Sequence, residues 1–249
     1  TSGAWSPTSG SGGNPLLING VFSVGTSGGG TVSYNTTGFT GSITANGGLN
    51  VGSGSSLTIG TSTTIVGGTS TISGTVSSGS AITWNGTLNG TGTVGASNIG
   101  ATGIVSPGAS PGILNTGNIA FASGSQYNVE IGGKVVGTLY DQLNVTGTVD
   151  LGDSTLNLSS YLGFVPGGGQ IYTIVKNDGV DAVSNTFNGL AEGATIPNFL
   201  GSGIDATITY TGGDGNDVVI TTPNTPPIAF DDTATTEQNK NLVVSGATL

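Results

Sequence analysis

The sequence predicts an all-β chain wound as a parallel β-solenoid, and three observations carry that reading. Short alternating apolar and polar runs recur about every twenty residues, clusters of Gly, Asn and Ser separate them, and no stretch keeps helical apolar spacing for three turns. Val21-Phe22-Ser23-Val24, Leu57-Thr58-Ile59, Thr71-Ile72-Ser73 and Ile82-Thr83-Trp84 each read as a strand about three to five residues long. Gly, Ser and Thr stand where a helix would need Ala, Leu, Glu or Lys. Stacked coils of such strands place the aliphatic residues in a continuous core and leave Thr, Ser and Asn outside. About ten coils at about 4.8 Å each predict a rod of about 50 Å. A β-sandwich is the structural rival, although sandwiches carry longer strands and more aromatics.

Composition narrows the chemistry. Of 249 residues, 48 are Gly, and Ser with Thr add about another quarter. Three Lys are the only basic residues, thirteen acids oppose them, and His, Cys, Met and Arg are absent. These absences remove Ser-His-Asp and Cys-His nucleophiles, imidazole and thiolate metal sites, and arginine clamps on phosphate. A net charge of -10 opposes the phosphate backbone, so nucleic acid is excluded as a partner. No run approaches the length of an apolar membrane helix, so no membrane insertion is expected of this segment. Lack of Cys removes any need for an oxidising compartment and any target for thiol oxidation, which suits an exposed extracellular protein. The chain starts at Thr1 and stops at Leu249 inside an apolar pattern, and reads as a piece of something larger.

Charge divides the chain. Every residue from Thr1 to Val129 is uncharged, and all the acids and lysines follow. Disorder favours low hydrophobicity with high net charge, whereas β-branched and aliphatic residues recur steadily here, so order is expected.

Certain segments resemble a known family. Leu88-Asn89-Gly90-Thr91-Gly92-Thr93-Val94, followed by Gly103-Ile104-Val105-Ser106-Pro107-Gly108-Ala109-Ser110-Pro111-Gly112-Ile113-Leu114, is similar to the passenger repeats of bacterial autotransporters and related surface proteins. Further matching stretches are Gly124 to Ile131, Tyr140 to Gly147, and Phe187-Asn188-Gly189-Leu190, so the resemblance covers about residues 88 to 220. It implies a right-handed parallel β-helix displayed outside a bacterial cell, as an adhesin stalk or a surface layer, and it does not imply a catalytic site. No membrane-barrel sequence follows the repeats, so autotransport itself is not implied.

Residues 1–222 form the predicted β-helix domain. Residues 223–249 open with Pro223, Pro226 and Pro227 and read as a proline-rich joint and short β extension. The phrase NTPPIAFDDTATTEQNKNLVV looks like the first strands of the cadherin-like or immunoglobulin-like modules of bacterial surface proteins.

Calcium is the one candidate cofactor. Gly212-Gly213-Asp214-Gly215-Asn216-Asp217-Val218-Val219-Ile220 fits the nonapeptide of calcium-binding β-rolls, making Asp214 and Asp217 candidate ligands. Such rolls hold ions between successive repeats, and one copy is present here. The competing reading is a hairpin joining Thr207-Ile208-Thr209-Tyr210 to Val218-Val219-Ile220-Thr221. Asp231 and Asp232 are a second candidate pair, because the resembled modules use acids near domain joints as ligands. Glu237 joins them if the chain folds back, and solvated carboxylates opening a strand are the alternative.

Catalysis is disfavoured. A β-helix can carry polysaccharide-active sites, but Lys134 and Lys176 read as isolated. Asp150 and Asp153, the available carboxylate pair, more simply bound a glycine turn. Thr61-Ser62-Thr63 and Thr69-Ser70-Thr71 hint at a hydroxyl ladder for ice or crystal surfaces, but the triplet is not repeated on every coil. Five segments, beginning at Asn35, Asn85, Asn89, Asn144 and Asn157, match the glycan acceptor pattern by composition alone. Trp5 and Trp84 are candidates to stack on sugars, and the alternation around Trp84 assigns it instead to the core.

The functional expectation is a non-enzymatic extracellular or cell-surface bacterial protein, serving as adhesin stalk, matrix or surface-layer component. Its expected partners are other copies of itself, cell-surface or matrix components, and glycans. The alternative is the subunit of a self-assembling fibre in which residues 1–14 or 223–249 donate strands to a neighbouring copy.

Overall fold

A computed structural model describes residues 15–25, 33–36, 39, 41–179 and 181–224. Seven triplets of strands follow in chain order. They are β1 (Leu16–Ile18), β2 (Phe22–Val24) and β3 (Ser33–Asn35); β4 (Ile43–Ala45), β5 (Leu49–Val51) and β6 (Ser56–Ile59); β7 (Thr64–Val66), β8 (Thr69–Ile72) and β9 (Thr75–Ser78); and β10 (Ile82–Trp84), β11 (Thr87–Gly90) and β12 (Thr93–Val94). Then come β13 (Ser97–Ile99), β14 (Ile104–Pro107) and β15 (Ile113–Thr116); β16 (Ile119–Phe121), β17 (Gln126–Ile131) and β18 (Gln142–Val145); and β19 (Val149–Asp150), β20 (Thr155–Ser160) and β21 (Ile171–Asn177). Each triplet is one coil. First, second and third strands stack separately into three parallel sheets, so the chain is a parallel β-solenoid.

Two expectations are corrected. Among the described residues there are seven such coils rather than ten, and the six steps between them span about 29 Å. The period is also not constant. On the first sheet Ile82 pairs with Ser97 and Ile119 with Val149, so the second of these coils uses twice as much chain as the first. Corner loops absorb this variation, because stacking fixes only the strands.

The alternation read from the sequence sets the core. In register on the first sheet, Ala45, Val66, Trp84, Ile99 and Phe121 stack inward, all buried. Trp84 is thereby a core residue, and the neighbouring inward row narrows to Ser97 beside it. Its indole Nε1 donates to Ser97 Oγ at 3.1 Å, and that hydroxyl donates to the Gly95 carbonyl at 3.0 Å. A large aromatic and its polar edge are thus both accommodated in an otherwise aliphatic column.

The resembled segment Pro107 to Gly112 makes a tight corner. Gly90 and Gly108 exchange backbone hydrogen bonds of 3.1 and 2.8 Å, and both have positive φ, 114° and 84°. Any Cβ on Gly112 would collide with the Gly108 backbone, so glycine is required for this close approach.

The last coil is capped on its third sheet, while β20 remains the edge strand of the second. β21 pairs antiparallel with β24 (Asp217–Thr221), which pairs antiparallel with β23 (Ala206–Gly212), and β22 (Thr195–Ile196) completes the sheet. Over the other two sheets, Ser184 exchanges backbone hydrogen bonds with Val149 and Leu151, and the Asn188 N–H donates to the Ser154 carbonyl. Groups of the terminal coil at β21, at Val149 and Leu151, and at Ser154 therefore find partners within the chain. Aromatic rings fill this end. Phe187 lies between Tyr127 and Tyr210 at centroid distances of 6.1 and 6.2 Å, and Tyr172 lies between Tyr140 and Phe199 at 5.5 and 5.9 Å.

Candidate functional site

The glycine-rich nonapeptide builds the turn of the β23–β24 hairpin. Gly213 and Gly215 have φ of 58° and 116°, and Gly212 pairs with Asp217 across the turn. Asp214 is exposed and Asp217 is buried. The two candidate ligands therefore sit in different surroundings on the same turn. Asp217 Oδ1 accepts the backbone N–H of Asn177 at 2.9 Å, tying the hairpin to the end of β21. Burial pushes its carboxyl pKa up, the Asn177 N–H counters this, and the nearby Asp214 charge adds to the rise. Asp231, Asp232 and Glu237, together with Trp5, lie outside the described residues. Among the described residues no three acidic side chains converge as a metal-ligand group.

Asn216, between the two candidate ligands, is also buried. Its Nδ2 donates to the carbonyls of Asp178, Gly179 and Asp181 at 3.1, 3.3 and 3.1 Å, so it pins the loop after β21. Asn216 and Asp217 thus serve the junction between hairpin and solenoid.

Asp150 and Asp153 flank the turn between β19 and β20, as the simpler reading of VDLGDSTL expected. Asp150 Oδ1 accepts the Gly152 N–H at 2.9 Å and the Asn185 amide at 2.7 Å, while Asp153 is exposed with φ of 61°.

Sequence reasoning missed Asp141, the most enclosed carboxylate among the described residues. It has no exposed surface, and its two oxygens accept the Gly112 N–H at 2.7 Å and the Glu130 N–H at 2.8 Å. The carboxylate therefore joins the glycine corner of one coil to the strand of the next. Burial pushes its pKa up to about 6 against those two hydrogen bonds, and the Glu130 charge adds to the rise. A signal was present: Leu143 and Val145 point inward, and the same alternation carried back two residues turns Asp141 inward.

A groove on the outer face of the third sheet is the other candidate. One hollow of about 430 Å³ is lined by Thr91, Ile113, Asn115, Val136, Thr138 and Asn144, with Gly137 at its rim. An adjoining hollow of about 380 Å³ shares Asn115 and Asn144 and continues to Lys176, Asp178 and Asp214. Lys176, read as isolated, in fact shares this end with two carboxylates. A third hollow, on the first sheet, includes Asn98, Asn118 and Asp150.

No protein-family model matches the chain, and no curated protein matches it.

Proposed function

We propose that this chain is a non-enzymatic rod segment of a bacterial surface or extracellular matrix, either an adhesin stalk or a surface-layer component. The observation that carries the reading is the uninterrupted stack. All three sheets run through the seven described coils, so each joint between coils is held by three sets of backbone hydrogen bonds at once. The stretch from Thr1 to Val129 carries no charge, so neighbouring rods approach without ionic repulsion from that half and with little sensitivity to salt.

A second reading, the subunit of a self-assembling fibre, is favoured by the first coil. Leu17 and Val21 are 59% and 51% exposed there, and a small apolar cavity lies among Leu16, Ile18, Phe22 and Ile43. Such an end accepts a further strand. The donors proposed for it, residues 1–14 and 223–249, lie outside the described residues except for 223 and 224.

Negative-stain microscopy of the purified chain separates the two readings, with calcium and then with chelator. Isolated short rods are expected of a stalk segment, whereas regular polymers would replace that reading with the fibre. If polymers form, unchanged assembly after deletion of residues 223–249 would exclude strand donation from that end.

A further inference from the structure

We infer that the groove on the third sheet binds a linear, neutral oligosaccharide laid along the rod axis across β12, β15, β18 and β21. The inference takes the source of the glycan from the surface-rod reading, and otherwise rests on the groove itself.

Register sets the floor. Thr93, Asn115, Asn144 and Lys176 are successive Cα partners, one per coil, over three steps of about 4.8 Å or about 14 Å in all. That length admits a short run of sugar rings. Two side-chain amides at the middle of the floor present donors and acceptors of the kind that sugar hydroxyls require. They are already ordered as a chain: Asn115 Nδ2 donates to the Gly92 carbonyl at 3.2 Å, and Asn144 Nδ2 donates to Asn115 Oδ1 at 3.3 Å. The chain ends on Asn144 Oδ1, an enclosed acceptor with no hydrogen-bond partner among the described residues. A sugar hydroxyl seated on the floor beside Asn144 supplies the donor that this oxygen lacks and extends the series, and buried polar atoms are rarely left unpaired.

The walls fit the same ligand. Ile113 and Val136, the latter 37% exposed, offer an apolar lip for the C–H face of a sugar ring. The loop carrying Val136 is held by backbone bonds from Leu139 and Tyr140 to the Val135 carbonyl, at 2.7 and 3.2 Å. Charge is confined to the far end, where Lys176 lines the hollow together with Asp178 and Asp214, so the middle of the floor is neutral. An extended peptide is a poorer occupant, because β15 and β18 are interior strands whose backbone groups are paired to strands on both sides.

The test is ¹⁵N-resolved NMR titration of the whole chain with cellotetraose, maltotetraose and laminaritetraose, and with tetragalacturonate as an acidic comparison. At least one neutral tetrasaccharide is expected to shift the Asn115 and Asn144 side-chain amides, with a dissociation constant of about 1 mM or tighter. Asn115→Ala and Asn144→Ala should each weaken it at least tenfold, while Asn98→Ala, in the hollow of the first sheet, should not change it. Val136→Ser, on the exposed lip, gives a second route if an Asn variant misfolds, and should also weaken binding. The inference is overturned if no neutral tetrasaccharide shifts these amides at about 20 mM, if shifts map elsewhere, or if only the acidic sugar binds. Microscopy plays no part in this readout, so a failed groove and a failed rod are distinguishable.

Discussion

The second to fourth coils and the closing end solve one problem by different means. Between β4 and β12 the buried residues are small or aliphatic apart from Trp84, no side chain is charged, and each coil is supported by the coil on either side. Among the described residues no further parallel coil follows β21, and around this end rings replace aliphatics. Tyr127, Tyr140, Tyr172, Phe187, Phe199 and Tyr210 fill the interior, and buried carboxylates bind backbone N–H groups. A repeating coil needs only residues that match its neighbours. A terminal one needs bulk to close the core and polar side chains to satisfy edges.

The largest expected effect follows from removing that bulk. Phe187 has no exposed surface and lies between Tyr127 and Tyr210, so Phe187→Ala should cost about 3–5 kcal/mol. Denaturant unfolding measures the loss. Hydrogen exchange measures its distribution, and protection should fall first in β20 to β24 while β4 to β12 keep theirs. Equal loss along the whole rod would break the contrast between a locally supported middle and a specially closed end.

A smaller effect concerns Asp141. Its folded pKa of about 6 lies above the ordinary value of 3.8, so the folded chain holds this proton more tightly than the unfolded one does. Its stabilising contribution is complete below about pH 4 and is lost as pH rises through about 6. Asp217 is shifted in the same direction by burial, and adds to the same trend. Melting temperature should therefore fall from pH 4 to pH 7. Asp141→Asn leaves the Gly112 and Glu130 N–H groups with one acceptor oxygen between them, costing about 1–3 kcal/mol, and it should flatten the slope. The same slope in the variant would remove Asp141 as its source.

These two regions were not equally legible in the sequence. Alternation and glycine corners sufficed for the stacked strands and for the inward Trp84, because each decision is local. The coil count was misjudged, since the step from Ile119 to Val149 is twice that from Ile82 to Ser97 and defeats a fixed period. The groove was hidden for a related reason: Asn115, Asn144 and Lys176 stand far apart in the chain, and only the three-dimensional register brings them together. Asp141 was readable from the alternation around Leu143, but an acidic residue on the apolar side is easily passed over when its partners are backbone N–H groups far along the chain.

The smallest expected effect tests whether the acidic closing end is also a calcium site. Asp214 is free to reach an ion, but Asp217 spends one oxygen on the Asn177 N–H and is buried, so binding through both would disturb the junction of hairpin and solenoid. Extracellular calcium sites of modest strength have dissociation constants of about 0.1–1 mM, which at about 5 mM calcium would stabilise the fold by about 1–2 kcal/mol. With Asp217 so engaged, melting in calcium and in chelator should agree within about 1 °C, against the several degrees that such stabilisation gives. A rise of about 3 °C or more that Asp214→Asn abolishes would assign the turn to calcium. The polar groups of the closing end would then serve an ion as well as the chain's own edges.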